Sequence, residues 1–213
     1  MKNSFGAYII FFLLFLFNPL AGIGVSLFFA LKTEETRDVI FFSFLVVLLL
    51  TAINLTKEFA NDQLRYAQTF MDIPQYGLKS LLFSNEKPEY AYVLLNYIIY
   101  YLSGGSVKIF FAVVTIIIYG FLFKAVLKWG NYSETPVYMV VAGIMCVAFF
   151  TQFFTLSLHL IRQMIAVSVF FYYIILRLEN NKFCWFFFVL APLFHNSILL
   201  IEIITIIPFA YGE

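Results

Sequence analysis

The stretch Ile109–Leu127, IFFAVVTIIIYGFLFKAVL, runs for 19 residues with a single charge, Lys124. A helix rises about 1.5 Å per residue, so this length matches the ~30 Å hydrocarbon core of a bilayer. The run shows no period-two alternation of apolar and polar positions, which a strand of an outer-membrane barrel requires. It therefore reads as a transmembrane helix despite its β-branched and aromatic content, and it sets the fold class as all-α.

The same reading extends outward along the chain. Runs of bilayer length recur at Tyr8–Leu31, Val39–Leu55, Val137–Leu158, Leu160–Leu176 and Phe183–Ile207. A further apolar run, Tyr90–Leu102, has 13 residues, a length that suits an interfacial or re-entrant piece better than a crossing. The expectation is a polytopic integral membrane protein of about six transmembrane helices plus one short re-entrant or interfacial helix, forming a single transmembrane domain over residues 1–213. Asn18–Pro19 interrupts the first run and marks a kink or a tight helical hairpin, because proline removes a backbone donor and crowds the preceding turn.

Composition agrees. Of 213 residues 63% are hydrophobic and 12% charged, with 29 Phe and 14 Tyr and a mean hydropathy of +0.93. A soluble domain carries about a quarter charged residues to wet its surface. A net charge of +1 gives no basic footprint for nucleic acid. Cys146 and Cys184 lie in apolar stretches without ligand-spaced neighbours, so no zinc site or disulfide framework is indicated. No Gly-rich phosphate loop or paired metal ligands appear, and no cofactor is called for.

The charges are concentrated. Five fall in Lys32–Asp38 and nine in Lys57–Glu89, which is 14 of the 25 in the chain. Segment 57–89 is therefore expected to be a polar loop outside the bilayer core. Lys32 with Arg37, Lys124 with Lys128, and Arg177 with Lys182 flank three short connections. If Tyr90–Leu102 does not cross, alternation of the spans puts all three on one side, which the positive-inside rule makes cytoplasmic. The loop 57–89 and the turn at His159 then face the other way.

Ionisable side chains at membrane depth are costly and mark functional sites. His159, Arg162 and Gln163 are spaced i, i+3, i+4, which would place an imidazole, a guanidinium and an amide on one helical face. A guanidinium facing a polar cavity suits a phosphate or pyrophosphate, which its planar fork clamps through two bonds. In the last run stands Phe194-His195-Asn196-Ser197, with Glu202 seven residues on, on the same face of a continuous helix. Pro192 should bend that helix near His195. Histidine titrates near working pH and suits a general base, whereas Glu202 reads as a group reaching the opposite interface. The segment Asn61-Asp62-Gln-Leu-Arg65-Tyr66, with Glu86-Lys-Pro-Glu89-Tyr90 further along, mixes carboxylates and aromatics in the manner of a sugar-binding surface.

Together these motifs are an Asp62-x-x-Arg65-Tyr66 segment after an early span, a Glu/Pro/Tyr lead-in to a short helix, Ile161-Arg162-Gln163-Met-Ile-Ala166, and Phe194-His195-Asn196-Ser197. Their order and spacing, from about Asn54 to Glu202, resemble the EpsG-like branch of the Wzy-type oligosaccharide repeat-unit polymerases. The resemblance implies a metal-independent glycosyltransferase, multi-pass in the bacterial inner membrane. Its substrate would be an undecaprenyl-pyrophosphate-linked oligosaccharide, and its product a longer O-antigen, capsule or exopolysaccharide chain. It implies Arg162 and His195 as catalytic groups, the first on the donor pyrophosphate and the second on the acceptor hydroxyl. Asp62, Arg65, Tyr66, His159, Gln163 and Ser197 would contact substrate, and a flippase and a chain-length regulator are the implied partners.

Two departures qualify the resemblance. The Asp62 segment lacks the Gly and preceding Arg of many relatives, with Asn54 and Lys57 in that neighbourhood instead. Relatives also continue through several further spans, so the chain is expected to be the N-terminal part of a longer polymerase fold. Alternatives are a truncated, inactive copy, a non-catalytic membrane subunit of a polysaccharide machine, and a membrane acyltransferase with His195 as base.

Overall fold

The structure, a computed structural model, describes residues 4–83, 89–180 and 183–210, and those residues form twelve α-helices and no strand. Three helices are long and apolar enough to cross a membrane: α3 (Thr36–Thr56), α7 (Val107–Tyr132) and α10 (Ile161–Asn180). They coincide with the runs at Val39–Leu55, Ile109–Leu127 and Leu160–Leu176. The run Val137–Leu158 is a pair, α8 (Val137–Phe149) and α9 (Thr151–His159), bent by 54° at Phe150, and it adds a fourth candidate span when taken as one. Large apolar side chains face outward around the bundle, Phe17 at 89% exposed and Leu102 at 84%, as expected of a surface solvated by lipid.

The first run is a helical hairpin and not one straight helix. α1 (Ser4–Phe17) and α2 (Pro19–Thr33) meet at Asn18, whose extended backbone breaks the helix and whose side chain accepts from the Ala21 amide at 3.1 Å. Asn at the N-cap followed by Pro at the first helical position starts a new helix and cannot continue the old one. The two legs pack directly, with Gly22 against the backbone of Phe15 and the Phe11 and Phe29 rings 5.3 Å apart. The hairpin is tied to α3 at the buried Asp38, which accepts from Tyr8 and, at 2.5 Å, from Thr33.

α3 and α7 run antiparallel, joined by a 2.6 Å hydrogen bond from Asn54 to Thr115. Ile40 and Phe44 face Lys124 and Leu127 across a lateral groove at the other end of the pair. α7 and α10 run parallel, with Phe121 beside Tyr172 and Lys128 bonded to Glu179 at 2.5 Å. The N-terminus of α3 and the C-termini of α7 and α10 thus share one end of the bundle. Lys32, Arg37, Lys124, Lys128 and Arg177 are gathered there, as the sequence predicts; Lys182 lies outside the described residues.

The opposite end carries the described part of segment 57–89, in which two short helices follow Asn61. α4 (Asp62–Met71) buries Tyr66 and Phe70 one turn apart, and Ile73, which opens α5 (Ile73–Phe83), continues that stripe. The Phe70 ring sits 4.8 Å from Phe110 and 5.3 Å from Tyr100. Burial of this stripe gives a short polar segment the apolar face that a helix needs. α6 (Tyr90–Ser103) starts beside α10 and ends in the left-handed turn Gly104–Gly105 that leads into the N-cap of α7 at Ser106. Both its ends lie at the same end of the bundle, so α6 does not cross. α11 (Trp185–Phe194) returns antiparallel to α10, and α12 (Ile198–Ala210) follows.

Candidate functional site

Four helix ends converge where α10 begins. α10 follows a break at Leu160, whose φ of −114° and ψ of 47° interrupt the helix after His159. α11 stops two residues beyond Pro192, which removes one ladder donor. His195 is extended, with φ −159° and ψ 119°. α6 starts at Glu89.

Glu89 is the hub. It is 7% exposed, and its carboxylate does not cap its own helix. Instead one oxygen, Oε1, lies 2.5 Å from His195 Nδ1, and the other, Oε2, accepts from Arg162 Nη1. A carboxylate this buried requires such partners, since an unpaired charge would cost several kcal/mol of desolvation. The arrangement suits both helices: an anion is favoured at the N-terminus of α6, and Glu89 offsets the unfavourable placement of the Arg162 cation in the first turn of α10.

Aromatic groups complete the pocket. The Arg162 guanidinium carbon stands 5.9 Å from the centre of the buried Tyr92 ring, which meets Tyr66 edge to face at 6.3 Å. One turn earlier on α4, Asp62 places Oδ2 3.9 Å from His159 Nδ1, too far for a hydrogen bond and exposed to water. Asp62 and Tyr66 thus set one face of α4 against the His159–Arg162 turn.

Of the sequence-predicted residues, the structure brings together Arg162, His195 and Tyr66, with Asp62 and His159 beside them. Arg65, Gln163, Asn196 and Ser197 are exposed and stay outside the cluster. Two spacing arguments are corrected. His159 does not share a continuous helix face with Arg162 and Gln163, because Leu160 breaks the helix between them. His195 and Glu202 do not share a helix either, because His195–Ser197 separate α11 from α12. Glu202 is fully buried rather than at an interface, and neither carboxylate oxygen has a hydrogen-bond partner among the described residues. Glu86 lies outside the described residues.

Glu89 is the residue that the sequence reading left in the wet loop. A signal was available: an arginine and a histidine at membrane depth need a polar partner, and Glu89 is the acid that directly precedes a short apolar helix which does not cross.

Fold and site together define an all-helical membrane protein with a carboxylate, a guanidinium and an imidazole joined at one end of its bundle. The model of the EpsG family matches residues 39–211, and the chain belongs to that family, whose members are membrane proteins of polysaccharide assembly. No curated protein and no solved structure gives a significant match.

Proposed function

We propose that the protein polymerises undecaprenyl-pyrophosphate-linked oligosaccharide repeat units into O-antigen, capsule or exopolysaccharide, by glycosyl transfer at the outer face of the bacterial inner membrane. The observation that carries this reading is the Glu89-centred contact between Arg162 and His195. It puts a cation suited to a departing pyrophosphate within one carboxylate's width of a base suited to an attacking hydroxyl.

In this reading the acceptor hydroxyl oxygen attacks the anomeric carbon of the donor sugar, and the bond from that carbon to the phosphate oxygen breaks. The electron pair leaves on undecaprenyl pyrophosphate, and the hydroxyl proton passes to His195 Nε2, the ring nitrogen not engaged by Glu89. Arg162 offsets the charge that grows on the leaving group, helped by the N–H groups of the first turn of α10. Asp62, Tyr66 and His159 form the adjoining wall for the sugar, with Arg65, Gln163 and Ser197 exposed at its margin. Flippase and chain-length regulator are the partners that would deliver the donor and set product length.

The test is a polymer ladder on a gel, from a polymerase-deleted host that supplies the cognate repeat unit. The chain is expected to restore the ladder, and Arg162→Ala and His195→Ala to abolish it at unchanged membrane protein level. A ladder retained in either variant overturns the role given to that residue. Single repeat units alone from the parent chain would instead make it a non-catalytic subunit.

A further inference from the structure

We propose that Glu89 is the positioning residue of this site and that it couples donor binding to the strength of the base. The proposal rests on the polymerase reading above and adds a regulatory step to it.

With Oε1 on His195 Nδ1, the Glu89 carboxylate accepts a hydrogen bond from Nδ1–H, which fixes the imidazole in the tautomer whose Nε2 lone pair is free. The His195 side chain is 27% exposed, so Nε2 has room to meet a hydroxyl. With Oε2 on Arg162, the same carboxylate is paired with a guanidinium. In this arrangement the anion that would stabilise an imidazolium is spent on that guanidinium.

A pyrophosphate changes that balance. Arg162 has five N–H donors, and the contact with Glu89 uses Nη1. A dianionic group approaching the N-terminus of α10 competes with Glu89 for the fork and draws Arg162 toward itself. Glu89 then has one partner left, His195. When the acceptor proton moves to Nε2, the resulting imidazolium faces a carboxylate no longer offset by Arg162, so the base is strongest when the donor is seated. Proton transfer without a donor is disfavoured by the same contacts. Because Glu89 is nearly buried, each exchange occurs in a low-dielectric setting where one charge matters most.

Two consequences separate this role from a structural one. Glu89→Gln keeps the size and one oxygen acceptor but removes the charge, so pyrophosphate loses its competitor for Arg162. Pyrophosphate should then bind more tightly, while turnover falls. A merely structural role would weaken binding and turnover together.

The experiment uses the full chain in detergent or liposomes. Binding of inorganic pyrophosphate to Glu89→Gln is expected to tighten at least ~3-fold relative to the parent, on the scale of one modest charge interaction. Turnover of lipid-linked repeat units is expected to drop ~100-fold or more, the range of general-base catalysis, with donor KM unchanged or lower. In a His195→Ala background, where turnover is already lost, the same substitution should still tighten pyrophosphate binding. Glu89→Asp, which keeps the charge on a shorter arm, should retain more turnover than Glu89→Gln, and this serves if the glutamine variant does not fold. Unchanged or weaker pyrophosphate binding in Glu89→Gln, or turnover retained in that variant, would overturn the proposal. A parent chain that makes no polymer at all overturns the polymerase reading instead, and the pyrophosphate measurement still decides the exchange at Arg162.

Discussion

The rings of Phe11 and Phe29 lie 5.3 Å apart, edge to face, although 18 positions separate them in the chain. In one straight helix that separation would hold them about 27 Å apart. The contact exists because Asn18 and Pro19 turn the chain back, and it makes the first apolar run a hairpin whose legs, of 14 and 15 residues, are each short for a crossing.

Cross-linking checks this directly. With Cys146 and Cys184 first replaced by Ser, a Phe11→Cys, Phe29→Cys pair should close with a short bis-maleimide in native membranes, and a Phe11→Cys, Phe17→Cys control should not. Failure of the first pair to react would restore a single straight span.

The hairpin also depends on a close approach at one glycine. A Cβ on Gly22 would fall 2.5 Å from the Phe15 Cα, whereas one on Gly24 meets nothing within 4 Å. Backbone atoms cannot yield as a flexible side chain would. Gly22→Ala is therefore expected to destabilise by about 1–3 kcal/mol, the usual cost of overpacking. Gly24→Ala, in the same helix, should be neutral or gain roughly 0.4–1 kcal/mol from a less flexible unfolded chain. Thermal unfolding in detergent should show the two variants moving in opposite directions from the parent, or Gly22→Ala alone losing stability.

Between α3 and α7, Asn54 is 1% exposed and gives its amide proton to Thr115, while its Oδ1 has no partner among the described residues. Thr115→Val removes the acceptor and strands a second atom of that amide. A double-mutant cycle with Asn54→Leu should yield a coupling of about 0.6 kcal/mol and at most ~1.7 kcal/mol, the range measured for hydrogen bonds between membrane helices. The double variant should be more stable than Thr115→Val alone, since it leaves no stranded donor.

How much of this was legible follows from what each signal measures. Run length and hydropathy found α3, α7 and α10 as whole helices, since crossing length is encoded locally. The same measure counts residues and not direction, so it fused α1 with α2 and α11 with α12; Asn18–Pro19 and Pro192 were the local marks of those breaks. Helical spacing grouped His159 with Arg162 on the premise of an unbroken helix, which Leu160 refutes. The motifs at Arg162 and His195 did identify two of the three groups that meet. Their common partner, Glu89, is 73 and 106 positions away from them, and no periodicity reports a contact over such distances.

The distribution of basic residues makes a last prediction about sidedness. Lys32, Arg37, Lys124, Lys128 and Arg177 gather at one end of the bundle, and Glu89, Arg162 and His195 at the other. Short connections rich in Lys and Arg stay in the cytoplasm, so the site end should face outward, where a flipped lipid-linked donor would be found. Asn61 and Asn196 are exposed at the site end, and Arg37 and Glu134 at the basic end. In a background with Cys146 and Cys184 replaced, Asn61→Cys and Asn196→Cys should react with a membrane-impermeant maleimide in cells whose outer barrier alone has been opened. Arg37→Cys and Glu134→Cys should react only after the inner membrane is permeabilised. The reverse pattern would put the Glu89 cluster on the cytoplasmic side, where it would meet lipid-linked sugars before they are flipped, and transfer at the outer face would then be untenable.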